Sequence, residues 1–262
     1  MPLDTYAALS CHSSVSLRSR AVHTPRLARP MRGLKGPRFA LVLSVLLSAR
    51  ALGADSPSLE QCPGAAAWTR SHPPVAESAQ SESGSSRAIS EPKLLRDLKN
   101  RVESDQAARR KLVAAPKNKT LGRSVDAIDA ANLAWLRLLI SEKGFPAAAQ
   151  VGNEGVHLAW ILLQHADEDP KLQSGLLPVL EQRFAAGELP VNDLARFTDR
   201  VLVASGTPQR YGTQFDWFSG EEFKLPEPSR LAEIDMERSH VGLMPLADYV
   251  CTIRKAREKL RR

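Results

Sequence analysis

Few side chains in this 262-residue chain have both the chemistry and the setting to do more than fold it. They fall in four places. Gln164-His165-Ala166-Asp167 ends a nearly apolar run that begins at Val156. Asp199-Arg200 interrupts an otherwise ordinary amphipathic stretch. Gln209-Arg210-Tyr211-Gly212-Thr213-Gln214 is a polar, glycine-containing loop ahead of Phe215 and Trp217. Asn132 stands four residues after Ile128 and three before Trp135, which puts an amide on the apolar face of a helix.

In one shared pocket these groups would do acid–base chemistry. His165 would be the general acid or base, because its unperturbed pKa lies near neutrality. Asp167 or Asp199 would orient it or tune its pKa. Arg200 would hold an anion or carboxylate in its planar fork. Asn132, Gln164, Gln209, Tyr211 and Gln214 would supply hydrogen bonds to a polar ligand. The same residues also describe a buried polar network that serves folding alone, since buried polar groups must be paired. There Asp199 pairs with a cation, and Gln209 and Gln214 satisfy loop backbone. His157 lies eight residues before His165, so the two do not share a helix face and make no metal pair. The sequence has no CxxC, no HExxH, no GxSxG elbow and no Gly-rich phosphate loop. It therefore offers no metal site and calls for no cofactor.

The elements that must position these groups read as helices. Leu94, Leu95, Leu98 and Val102 predict an amphipathic helix from Pro92 to about Val113. Pro116-Lys117-Asn118 breaks it. A second helix runs from near Ser124 to Gly144, with Ile128, Ala131, Trp135, Leu138 and Leu139 on one face. Residues 156–165 are nearly all apolar, which marks a buried central helix. Helices at 172–184, 191–203, 231–240 and 245–260 follow, and Gly175 and Pro178 weaken the first of these. Glycines and aromatics between 206 and 225 suggest an irregular segment or a small hairpin. The fold class is all-α (mainly α), a compact multi-helix orthogonal bundle over residues 91–262.

Ahead of that domain the composition changes twice. Residues 55–90 are rich in Ser and Pro and read as a disordered linker. Residues 1–54 read as a leader: an upstream extension, then a signal peptide at about 31–54. Arg32, Lys35 and Arg38 are its basic region, Phe39 to Ala49 its apolar region, and Ala51-Leu52-Gly53-Ala54 its cleavage site. The apolar run falls short of the ~20 residues that span a bilayer. The chain's net charge of +7 belongs to this leader; the rest carries 28 basic and 28 acidic residues. That balance disfavours nucleic acid as a partner, because phosphate binding needs a dominant positive field. Export to the periplasm or beyond would place Cys62 and Cys251 in an oxidising compartment, bonded to each other or as two free thiols.

The ordered set of motifs resembles an uncharacterised bacterial family, domain of unknown function 6624. The resemblance rests on Asp129 and Asn132, Lys143-Gly144-Phe145-Pro146, Val151-Gly152, Gln164 to Asp167, Asp199-Arg200, Gln209 to Gln214, and Val241 to Tyr249. Phe145 stands where Trp is expected more often. The resemblance implies a domain type and no reaction. Two functions therefore stay open. One is a binding or interaction module of the cell envelope, with a polar ligand or an envelope protein as partner. The other is a hydrolase-type enzyme using His165 with Asp167 or Asp199.

Overall fold

Spacing along the chain accounts for most of the helices of the computed structural model, which describes residues 61–72, 88–215 and 225–260. The leader at 1–54 and most of the 55–90 linker lie outside these residues. Helix α1 (Pro63–Ser71) precedes α2 (Pro92–Ala114) and α3 (Lys119–Lys143). Then come α4 (Ala148–Gln164), α5 (Pro170–Ala185), α6 (Val191–Ala204), α7 (Pro228–His240) and α8 (Leu246–Leu260). No strand occurs among the described residues. The protein is an all-α bundle.

The helix ends carry their own signals. Asn118 caps α3 by accepting from the Thr120 and Leu121 amides, which moves the start five residues ahead of Ser124. Gly144 ends it with φ 75°. Asp169 caps α5 through the Leu172 amide, and Pro170 occupies the first turn. Pro178 is tolerated inside α5 because it and Ser174, whose carbonyl it frees, are both exposed to solvent. Gly152 breaks α4 near its start with φ 71°, a conformation that other residues adopt only with strain. The rest of α4 is the buried centre: Val156, Ala159, Trp160, Ile161, Leu162 and Leu163 are each at most 1% exposed. It packs against α2, α3 and α6. Leu98 and Leu136 close over it from α2 and α3, and Phe197 from α6. A smaller core, Ile234, Leu246, Val250 and Ile253, joins α7 to α8.

Two sequence expectations need correction, on α3 and in the linker, and the irregular alternative holds for the described part of 206–225. The buried face of α3 is Val125, Asn132, Leu133, Leu136 and Leu139, whereas Leu138 is 56% exposed and Ile128, Ala131 and Trp135 are not buried. This helix is apolar on more than one side, so periodicity could not choose the side facing the core. Residues 206–215 form an irregular loop with no strand, and residues 216–224 lie outside the described ones. Within the supposed linker, residues 63–71 are helical. Pro63 opens that helix and Ala65-Ala66-Ala67 favours it. A Cys62–Cys251 disulfide, Cα–Cα 5.9 Å, fastens it to α8. No described helix is long and apolar enough to cross a membrane.

Candidate functional site

Core spacing on α2 continues past its hydrophobic residues. After Leu94, Leu98 and Val102 the same stripe carries Asp105 and Arg109 before returning to Leu112, so the helix buries an acid and a base with its leucines. Arg109 Nε donates to Asp105 Oδ1 at 3.0 Å, and its Nη2 donates to Asp129 Oδ1 on α3. Gln106 Nε2 donates to Asp105 Oδ2 at 2.8 Å. His165, at the end of α4, brings Nδ1 to 3.1 Å from the same oxygen, though not in line for a hydrogen bond. Its Nε2 has no hydrogen-bond partner, and the residue is 7% exposed.

The electrostatics follow from burial. Burial, with Arg109 and Arg200 nearby, lowers the His165 pKa despite Asp105, so the imidazole is neutral at pH 7. Burial, helped by the Asp105 and Asp167 carboxylates and opposed by Arg109, pushes Asp129 up to about 7. Burial also works against an ionised Asp105. His165, Arg109 and Gln106 outweigh it and hold that carboxyl down at about 2.

Beside this cluster, Arg200 Nη1 donates to Asp167 Oδ1 at 2.5 Å, and Arg200 Nε is buried without a partner. Gln173 Nε2 reaches the Leu163 carbonyl at 3.1 Å and Asp167 Oδ1 at 3.4 Å. Gln164 is fully buried. His157 stays apart, with Nδ1 2.6 Å from Asp193 Oδ2 and its ring stacked on Trp160.

Asp199 turns away from its neighbour Arg200. Its Oδ1 accepts from the Arg210 and Tyr211 amides at 2.7 and 2.9 Å. Its Oδ2 accepts from the Thr213 amide and hydroxyl, both at 2.8 Å. Burial pushes this carboxyl up, and the backbone donors pull it back. Gln209 and Gln214 close the loop: Gln214 N donates to Gln209 Oε1 at 2.7 Å, and Gln209 Nε2 donates to Gln214 O at 3.0 Å. Arg238 Nη1 donates to Tyr211 O at 2.7 Å from behind. Asp199 is therefore the hub of a loop, and Asp105 stands where Asp167 or Asp199 was expected beside His165.

Asn132 lies elsewhere again. Arg101 Nη1 donates to its Oδ1 at 3.1 Å, and the Arg101 guanidinium sits 4.4 Å over the Trp135 ring. These three, with Asp97, Asn100, Ser104, Ile128 and Ala131, line an open groove of about 450 Å³ between α2 and α3.

Of the motifs that carried the resemblance, Asp129 and Gln164 to Asp167 with Arg200 lie in or beside the His165 cluster, and Asp199 with Gln209 to Gln214 forms the loop. A family model, family of unknown function (DUF6624), matches residues 92–259. The chain belongs to the DUF6624 family. No curated protein and no solved structure matches it.

The DUF6624 domain gathers His165, Asp167, Gln164 and Arg200 at one end of α4, and it gathers Asp199, Gln209, Tyr211 and Gln214 around the loop. It leaves Asn132 in the α2–α3 groove. Sequence reasoning missed Asp105, Gln106 and Arg109. The available signal was charge at core spacing on α2, an i,i+4 acid and base in register with Leu98, Val102 and Leu112. Among the described residues, Asp105, Asp129 and His165 could also hold a metal ion, a possibility that motif spacing gave no hint of.

Proposed function

We propose that the protein is an exported binding module of the cell envelope, and that its helical domain takes a polar, hydroxyl-rich ligand, a glycan fragment of the cell wall, in the groove between α2 and α3. The observation that carries this reading is Asn132. It is 5% exposed, lines the groove, and its Nδ2 has no hydrogen-bond partner. An unmet buried donor costs roughly 1–3 kcal/mol, which a small rotation of the amide toward a ligand acceptor in the groove would recover.

The remaining lining supports the same ligand class. Ile128, Ala131 and Trp135 give an apolar wall, and Asp97, Asn100, Arg101 and Ser104 give donors and acceptors. A sugar ring offers both kinds of surface. Export rests on the leader residues 31–54 and their charge pattern.

Titration of the secreted protein with soluble cell-wall disaccharide-peptides, read by Trp135 fluorescence and calorimetry, tests the reading. Saturable binding is expected, weakened roughly tenfold in Asn132→Leu, equivalent to 1.4 kcal/mol. Absence of binding, or equal binding by an Asn132→Leu variant with native helicity, would overturn it.

A hydrolase-type reading keeps one supporting contact, the Asp105–His165 approach at 3.1 Å. Asp105 would then orient His165 in place of Asp167 or Asp199. Activity profiling over ester, amide and glycoside substrates, wild type against His165→Ala, tests it, and equal turnover in both would end it.

A further inference from the structure

We infer that Asp105, Asp129 and His165 form a binding site for a divalent transition-metal cation. The three residues come from α2, α3 and the end of α4, and their ligating atoms all lie within 4.8 Å of one another. The inference is independent of the groove, which none of the three lines.

Three observations point to a cation here. First, His165 is 7% exposed and its Nε2 makes no hydrogen bond, while Nδ1 lies 3.1 Å from Asp105 Oδ2. A buried imidazole nitrogen without a partner is costly, and a metal bond at Nε2 would remove that cost. Second, acids outnumber bases. Two carboxyls meet one guanidinium, Arg109, because Arg200 is engaged by Asp167. The second carboxyl then carries a proton or meets a cation, and metal binding would release that proton. Third, the carboxylates are already supported from behind. Arg109 takes Oδ1 of both, and Gln106 holds Asp105 Oδ2 at 2.8 Å. Outer hydrogen bonds of this kind orient metal ligands and hold their charge.

The donor set narrows the ion. One imidazole nitrogen with two carboxylate oxygens suits zinc, manganese or iron in the divalent state better than calcium, which takes six to eight oxygens. Three protein ligands leave a coordination position for water or ligand, as in open zinc sites. Asp129 is the most accessible of the three, its side chain 21% exposed against 1% for Asp105 and 4% for His165.

The test uses the whole secreted chain, stripped with a chelator and titrated with Zn²⁺ and with Co²⁺ as a spectroscopic probe. Expected are one ion per chain by elemental analysis, a visible Co²⁺ absorption band, and a higher Tm with Zn²⁺ as mass action requires. Asp129→Asn and His165→Ala should lose the band. Gln106→Leu should weaken binding about 10–100-fold. His157→Ala should change nothing. Should His165→Ala fail to fold, the His165 ring resonances of the wild type give the readout, shifting with added Zn²⁺ while those of His157 stay. Sub-stoichiometric metal, or Zn²⁺ that moves neither Tm nor the His165 ring, overturns the inference, and glycan binding in the groove is unaffected by that result.

Discussion

Arg109 holds two carboxylates at once, Asp105 through Nε at 3.0 Å and Asp129 through Nη2. Both the arginine and Asp105 are 1% exposed. Removing one partner of a buried pair leaves the other charge uncompensated, which costs about 3–5 kcal/mol. Arg109→Met should therefore lower stability by about that much in a denaturant titration. The double variant Arg109→Met with Asp105→Leu should lose less than the sum of the two singles, because it removes the stranded charge as well.

The hub role of Asp199 gives a sharper test than truncation. Both of its oxygens accept, two donors each, so the site has no place for a donor. Asp199→Asn keeps the shape but turns an NH₂ group toward N–H or O–H donors on one side. Its cost should be roughly 1–3 kcal/mol. Hydrogen exchange of the Tyr211 and Thr213 amides should speed up, while that of α4 stays protected. Gly212→Ala should loosen the same loop, since Gly212 has φ 67° and an added Cβ would lie 2.9 Å from Leu246 side-chain carbons.

What was legible in the sequence was whatever local spacing decides. The periodic leucines of α2 and the all-apolar run of α4 gave the bundle and its centre. The side of α3 facing the core was not legible, because Ile128, Ala131, Trp135 and Leu138 make as good a stripe as Val125, Leu133, Leu136 and Leu139. The first stripe is the less buried one, with Trp135 at the core's edge, and part of it walls the groove. His165 stood out as one titratable group after an apolar run, but its partner Asp105 lies sixty positions earlier. Asp199 looked catalytic because its partners are backbone amides 11–14 residues on, and backbone leaves no trace in a sequence.

The disulfide makes a prediction about α1. That helix packs on α8, with Cys62 and Ala65 buried against Met244 and Cys251. The loop closed by the bridge spans 189 residues, for which the chain-entropy estimate is about 5 kcal/mol at most. Cys251→Ser should free α1 to cleavage near Trp68 in limited proteolysis and leave the fragment from Pro92 onward resistant. Cleavage spreading equally into α4 would mean that α1 braces the whole domain.

Asp169 sets a pH dependence at the surface. Its capping bond from the Leu172 amide, then its pairing with Arg137, lowers its pKa below the ordinary 3.8. A carboxyl that is more acidic in the folded state stabilises it above the unfolded pKa, and that contribution fades as pH falls through the folded value. Asp169→Ala should cost ~1 kcal/mol near pH 7, the usual worth of a helix cap. The difference from wild type should narrow below about pH 4, where unfolding curves over a pH series would show it. Asp169→Asn should keep the cap and lose this narrowing.

Trp160 is the largest fully buried side chain, at 0% exposure in the middle of α4, yet its Nε1 finds no hydrogen-bond partner. Those two facts act in opposite directions. Trp160→Ala removes the packing and should cost about 3–5 kcal/mol. Trp160→Phe keeps most of the packing and deletes an unmet buried donor, so relief of roughly 1–3 kcal/mol should offset much of the lost contact. Denaturant midpoints should therefore place the Phe variant close to wild type and the Ala variant far below. The same helix ends at His165, so slack at Trp160 reaches the Asp105 contact. In Trp160→Ala that remains folded, Co²⁺ binding should weaken along with stability, whereas Trp160→Phe should bind as wild type does.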